Sequence, residues 1–131
     1  MKISLKRQLS TSIDPKGLII AFSIILLWFI SLIFLLNLQV DYSNPLLYLG
    51  LFVQMHLYTG LFITAHDAMH GVVTRNKRLN HFIGGFAAML FSFNFYWKLF
   101  PNHHKHHMHV ATADDPDYHS SGKFIPWYLS F

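Results

Sequence analysis

Two groups of histidines carry the chemistry open to this chain. The first is His66-Asp67-Ala68-Met69-His70, followed by Gly71. Histidines four apart share one face of a helix, so both imidazoles can reach one metal ion. The second group is His103-His104-Lys105-His106-His107-Met108-His109. Within it His103, His106 and His107 form an HxxHH pattern, and offsets of three and four put them on one helical face. His104 then points elsewhere, and His109 is an additional donor without an assignment. Imidazole suits iron, zinc, copper and nickel. For either group alone, solvated histidines or a loop that takes up zinc or nickel loosely are the plain alternatives. The phrase Asp114-Asp115-Pro116-Asp117-Tyr118-His119 follows closely. The carboxylates of Asp114, Asp115 and Asp117 are candidates to orient an imidazole N–H or to bind metal themselves, with an acidic turn begun by Pro116 as the alternative, and Asp67 is a candidate to orient an imidazole or to pair with Arg75 or Arg78. His119 is a candidate further ligand.

Composition narrows the setting. The 131 residues include ten histidines, no cysteine and no glutamate. Absent cysteine excludes thiolate ligands and a disulfide framework. The chain is 53% hydrophobic and only 12% charged, half the roughly 25% of an average soluble domain. Such a chain cannot cover its surface with polar groups, so lipid is the expected solvent. The formal charge is +4, but the basic residues flank apolar runs and form no stripe, which argues against nucleic acid.

The elements that must position the histidines follow from the apolar runs. Residues 17–36 carry no charge, and twenty helical residues span about 30 Å, the thickness of the hydrocarbon core. The run is too long for the apolar region of a signal peptide, and Leu35-Leu36-Asn37-Leu38-Gln39 offers no small-residue cleavage site. Residues 45–65 form a second uncharged run after the turn Asp41-Tyr42-Ser43-Asn44. So short a connection predicts an antiparallel hairpin of two spans. A third run, residues 82–97, is marginal for a crossing at about 24 Å. Lys2, Lys6, Arg7 and Lys16 precede the first span, and Arg75, Lys77, Arg78, Lys98, Lys105 and Lys123 all follow the second. If the third run dips in and returns, every basic residue falls on one side, the cytoplasmic one. The predicted fold class is therefore an all-α membrane protein: a two-span helical hairpin, an interfacial or re-entrant helix, and a His-rich cytoplasmic segment. His56, mid-span with Gln54 and Thr59, is expected to be buried between helices and hydrogen-bonded. His81 is expected in an interfacial basic loop. The final residues 124–131 turn aromatic again, like the approach to another span, with Trp127 and Tyr128 at headgroup level.

Taken together, these phrases resemble the membrane fatty acid desaturase and hydroxylase superfamily, whose members carry an HxxxH box and two HxxHH-type boxes around a di-iron site. Within it the sequence is most similar to the bacterial β-carotene ketolases (carotenoid 4-oxygenases), on the three phrases His66 to Gly71, His103 to His109 and Asp114 to His119. The resemblance implies oxygen-dependent oxidation of a carotenoid ring methylene to a keto group, with iron as cofactor and two Fe in the complete site. It implies His66, His70, His103, His106 and His107 as ligands, a lipid-soluble substrate (carotenoid or acyl chain), and an electron donor protein such as a ferredoxin-type reductant. The superfamily has a further HxxHH cluster after more spans. This sequence does not contain it, so residues 1–131 are expected to form a partial domain holding part of the site. Two alternatives stay open: a membrane fatty acid desaturase or hydroxylase, and, from another class, an inactive fragment or a membrane metal-binding or interaction protein.

Overall fold

A computed structural model describes residues 15–93 and 95–129. Lys2, Lys6, Arg7 and Asn94 lie outside the described residues. The described chain contains five helices and no strand: α1 (Lys16–Asn37), α2 (Pro45–Met69), α3 (Lys77–Ser92), α4 (Tyr96–His109) and α5 (Phe124–Tyr128).

Helices α1 and α2 have mean hydropathies of 3.0 and 1.6, and only 11% and 17% of those apolar windows are buried within the protein. Helices of that length whose apolar surface faces outward are built for lipid rather than for a soluble core. They form the expected hairpin. The start of α2 is fixed by Asn44, whose side chain accepts the Leu46 N–H at 3.0 Å, and by Pro45 at the first helical position. At the far end α2 runs four residues past the predicted boundary, so His66 sits inside the helix. There Gly71 adopts φ 72°, its N–H donating to Ala68 O at 3.1 Å while the Val72 N–H reaches Asp67 O at 3.1 Å. These two bonds are a Schellman termination, and glycine supplies the left-handed residue it needs. The beginning of α1 meets this same end, because a Cβ on Gly17 would lie 2.6 Å from the Val73 carbonyl oxygen.

The third apolar run differs from expectation. Hydropathy predicts one helix over 82–97. The structure begins α3 at Lys77, ends it at Ser92 with Phe93 in the left-handed region (φ 54°), and assigns Trp97 to α4. The Asn76 side chain caps α3 by accepting the Leu79 N–H at 3.2 Å, which draws the helix start into the basic segment. His81 therefore lies on a helix, not in a loop. From its cap, α3 runs antiparallel along α2. Asn80 donates to Ala68 O at 2.6 Å near the end of α2. Eleven residues later Phe91 packs against Tyr58, with ring centroids 4.6 Å apart, and its carbonyl accepts the Tyr58 hydroxyl. The α2–α3 contact is close because Gly84 has no side chain: a Cβ there would lie 2.5 Å from Ala68 Cβ. The core follows this seam, with Leu61, Ala65, Ala68, Ile83, Ala87, Ala88 and Tyr96 buried.

Candidate metal centre

Helix α4 returns toward the end of α2. Its anchor is Tyr96, 2% exposed, whose ring fills the space left at Gly84 and whose hydroxyl lies 3.1 Å from His81 Nδ1. Phe100, one turn on, packs against His81 with centroids 5.3 Å apart. This seat aims the next turn of α4 at the last turn of α2.

Four histidines meet there. His66, His70, His103 and His107 each present one ring nitrogen, and these four atoms all lie within 4.8 Å of one another. Ring centroids stand 4.7 Å apart for His66–His70 and His66–His103, and 4.8 Å for His70–His103. The His70–His107 and His103–His107 spacings are 4.9 and 4.6 Å. His103 Nε2 lies 2.9 Å from His70 Nε2. Two imidazole nitrogens bound at about 2.1 Å and at right angles to each other are about 3.0 Å apart. The pair is thus spaced as adjacent ligands of one first-row transition metal. Burial, then the neighbouring imidazoles His66 and His107, hold His70 below the ordinary histidine range. The same causes, burial first, bring His103 down to about 4. Those two rings resist a proton and keep the neutral form that binds metal. The donor set fits iron, and by ligand chemistry alone also zinc, copper or nickel.

His106 stands apart from this group, although HxxHH spacing suggested one face for all three. At about 100° per residue, positions 106 and 107 diverge by 100° around the helix. The α2 pair lies on the His107 side, and the loop after α4 takes His106. Its Nδ1 lies 2.9 Å from Asp115 Oδ1 and 3.3 Å from Asp117 Oδ2. Asp115 is 6% exposed and also accepts the Ala111 N–H at 2.8 Å and the Asp117 N–H at 2.9 Å. Burial pushes the Asp115 carboxyl upward, and its donors from Asp117, His106 and Ala111 outweigh that and set it below the usual range. The hydrogen bond to Asp115 raises His106. With Nδ1 engaged by carboxylates, His106 offers only Nε2 elsewhere.

The other candidates fall outside both groups. His104 Nδ1 lies 3.0 Å from the Phe100 carbonyl oxygen of its own helix. His109 closes α4, its carbonyl accepting the Thr112 hydroxyl at 2.7 Å. His119 Nδ1 pairs with Ser121 Oγ at 2.8 Å. Asp67 Oδ1 is a loose 3.5 Å from His66 Nδ1, and Asp114 is exposed. His56 is not buried between helices of this chain: it is exposed, with Nδ1 2.8 Å from Phe52 O. Sequence reasoning missed Asn80 and Tyr96. Asn80, 2% exposed, donates to Ala68 O and accepts the Thr74 N–H at 3.3 Å, so it fastens the turn beside His70. An amide near the start of an otherwise amphipathic helix was the available signal.

Beside the four histidines lies a cavity of about 480 Å³ between α2, α3 and α4. His66 and His103 form one side with Asn102 and Asp117, and Phe62, Ala65, Met69, Ala88, Phe91, Leu99 and Pro116 make the rest of the lining apolar. Tyr58, Phe62, His66 and His70 follow one another at intervals of four along α2. One face of the span thus leads from mid-helix aromatic rings to the imidazoles. The arrangement can hold a metal at the end of a span with an apolar chamber against it.

Comparison with known proteins agrees with this chemistry. Residues 43–131 match the profile of the fatty acid desaturase family. The chain is 43% identical over 112 residues to a beta-carotene ketolase of Paracoccus sp. (strain PC1), covering 83% of this chain and 46% of that protein. It is 42% identical over 92 residues to a beta-carotene 4-ketolase of Protosiphon botryoides (68% and 24%). It is 38% identical over 109 residues to a zeaxanthin 4-ketolase of Chlamydomonas reinhardtii (80% and 24%). The matched region thus spans between 24% and 46% of these relatives' length. No solved structure matches the chain. An all-helical fold with two helices fit to cross a membrane, histidines converging at the end of one of them, and a match over most of the sequence lead to one conclusion: the chain belongs to the fatty acid desaturase family.

Proposed function

We propose that this chain forms part of a membrane-bound, iron-dependent oxidoreductase that uses O2 to convert a carotenoid ring methylene into a keto group. The observation that carries this is the joining of four imidazoles to an apolar chamber at the end of an apolar helix. Ketolase identities of 38% to 43% across the same residues support the carotenoid over an acyl chain. Bound iron would supply the activation of O2 for C–H oxidation; the protein supplies position. His66, His70, His103 and His107 would hold one iron. His106, oriented by Asp115 and Asp117, would turn Nε2 toward a second, whose remaining ligands come from elsewhere in the complete enzyme. A carotenoid dissolved in the bilayer would enter past Phe62 and Phe91, with Ala65 and Ala88 leaving room for its ring beside His66 and His103. The charge distribution supports an orientation with the N-terminus and all histidine groups cytoplasmic, where a ferredoxin-type reductant delivers electrons. In that frame α3 is re-entrant, dipping along α2 to the depth of Tyr58 before α4 returns. Expression of the whole reading frame in cells that accumulate β-carotene tests the proposal. Keto-carotenoids are the expected product. Unchanged pigment from folded, iron-loaded protein refutes it, and altered acyl lipids would reassign the enzyme as a desaturase or hydroxylase.

A further inference from the structure

The outward face of α3 carries a groove of about 710 Å³ that the site above does not use. Lys77 and Arg78 stand at one end of it, in the first turn of the helix. Phe82, Phe86 and Met89 continue along the same face, and Trp97 of α4 forms the opposite wall. No acidic residue lines it. Its apolar walls are open to the surroundings, with Phe82 70% and Trp97 66% exposed. Gly85 forms its floor, where an added Cβ would meet nothing nearer than Tyr96 Cβ at 3.9 Å.

The position of this groove against α2 identifies its occupant. Its cationic end lies beside the last turn of α2, where Asn80 bonds Ala68 O. From there α3 descends alongside α2 until Phe91 meets Tyr58. Eleven helical steps from Arg78 to Met89 cover about 16 Å. Charge at the span boundary followed by some 16 Å of apolar wall reproduces the polarity gradient of a phospholipid. Two cations without a carboxylate select an anionic headgroup over a zwitterionic one. We propose that the α3 groove binds an anionic phospholipid, with its phosphate on Lys77 and Arg78 and an acyl chain over Gly85 against Phe82, Phe86, Met89 and Trp97.

The test is lipid retention by the purified product of the whole reading frame, measured by native mass spectrometry after reconstitution in equal phosphatidylglycerol and phosphatidylcholine. One retained phosphatidylglycerol per chain, in clear preference to phosphatidylcholine, is expected. Lys77→Gln and Arg78→Gln should each weaken that preference roughly fivefold. Gly85→Leu, whose Cβ alone meets nothing nearer than 3.9 Å, should fill the groove and abolish retention. Lys105→Gln and Lys123→Gln, each of which removes one charge elsewhere, should change nothing singly or combined. Equal retention of both lipids, retention by a helical Gly85→Leu chain, or an equal loss in the Lys105 and Lys123 variants would overturn the proposal. So would dimers that Gly85→Leu dissociates without altering lipid content, because a second copy would then cover the face. If Gly85→Leu fails to fold, the two charge variants alone decide.

Discussion

Replacing Gly84 by alanine should loosen the metal centre without touching a histidine. The new Cβ would lie 2.5 Å from Ala68 Cβ and 2.6 Å from Tyr96 Cε2. Carbon atoms pack at about 3.5–4.0 Å, so the seam must open by roughly 1 Å. No rotamer can relieve the clash with Ala68, a Cβ fixed to helix backbone and 0% exposed. Overpacking of this kind costs about 1–3 kcal/mol, offset by about 1 kcal/mol from replacing a helical glycine, so the chain still folds. The site is affected more. Tyr96 anchors α4, and a shift of that size would widen the 2.9 Å between His70 and His103 Nε2 to about 4 Å, beyond the roughly 3.0 Å of adjacent ligands. Metal affinity should fall about 10–100-fold, as when a ligand's positioning partner is lost. Anaerobic Fe(II) or Co(II) titration against a competing chelator measures this. Gly85→Ala is the control, since its Cβ meets only Tyr96 Cβ at 3.9 Å. Unchanged affinity in a folded Gly84→Ala chain, or an equal loss in Gly85→Ala, would refute the reasoning.

Further outcomes follow from the same geometry. His70→Ala and His103→Ala each remove one of four converging nitrogens. Structural four-ligand sites are worth about 10–16 kcal/mol in all, so each loss should weaken binding by roughly two to three orders of magnitude, while His104→Ala stays within about twofold. Asp115→Asn replaces one accepting oxygen with an amide donor where the carboxylate takes three hydrogen bonds. Equilibrium denaturation should show a loss of about 1–3 kcal/mol, and NMR titration should show His106 returning toward the ordinary histidine value. Asn80→Ala removes the acceptor of the Thr74 N–H and one of the hydrogen bonds at Ala68 O, which keeps the Gly71 N–H, with a similar cost of about 1–3 kcal/mol; unaltered unfolding would show that those bonds carry no stability. The metal-free chain should respond to pH with two opposite signs. His103 titrates near 4 when folded against an ordinary value near 6.5. The unfolded chain therefore binds the extra proton first, and stability falls as pH drops from about 6.5 toward 4. His106 is raised, so its contribution is complete below about 6.5 and is lost as pH rises through its folded value. Unfolding midpoints measured across pH 4 to 8 check both signs, and monotonic behaviour traced to one residue would contradict the pairing.

Much was legible in the residues themselves. Uninterrupted apolar length needs no partner to declare itself, so α1 and α2 could be read directly: in lipid a backbone must satisfy its own hydrogen bonds, and helix is the way a single segment does so. The i, i+4 spacing of His66 and His70 predicted their shared face because helix periodicity is local. So did that of His103 and His107. The third helix was misread because its limits rest on side chains rather than hydropathy. Asn76 starts it within the basic segment, and Phe93 ends it at a left-handed residue that no hydrophobic count reveals.

Only the tertiary structure could bring the two histidine pairs together. Thirty-three residues separate His70 from His103, and their meeting depends on the missing side chain of Gly84, the Tyr96 ring that fills its place, and Asn80 fastening the turn. The division of His103, His106 and His107 was equally beyond spacing. Offsets of three and four leave two neighbouring faces available, and what lies opposite each face decides which ring goes where. The α2 pair stands opposite one, and the Asp115 and Asp117 carboxylates stand opposite the other. The sequence by itself determined the candidate donors and the long apolar helices, one of which carries the first histidine pair. The packing of α3 between α2 and α4 decided which donors converge, because convergence depends on the distance between helices, a quantity that no single helix contains.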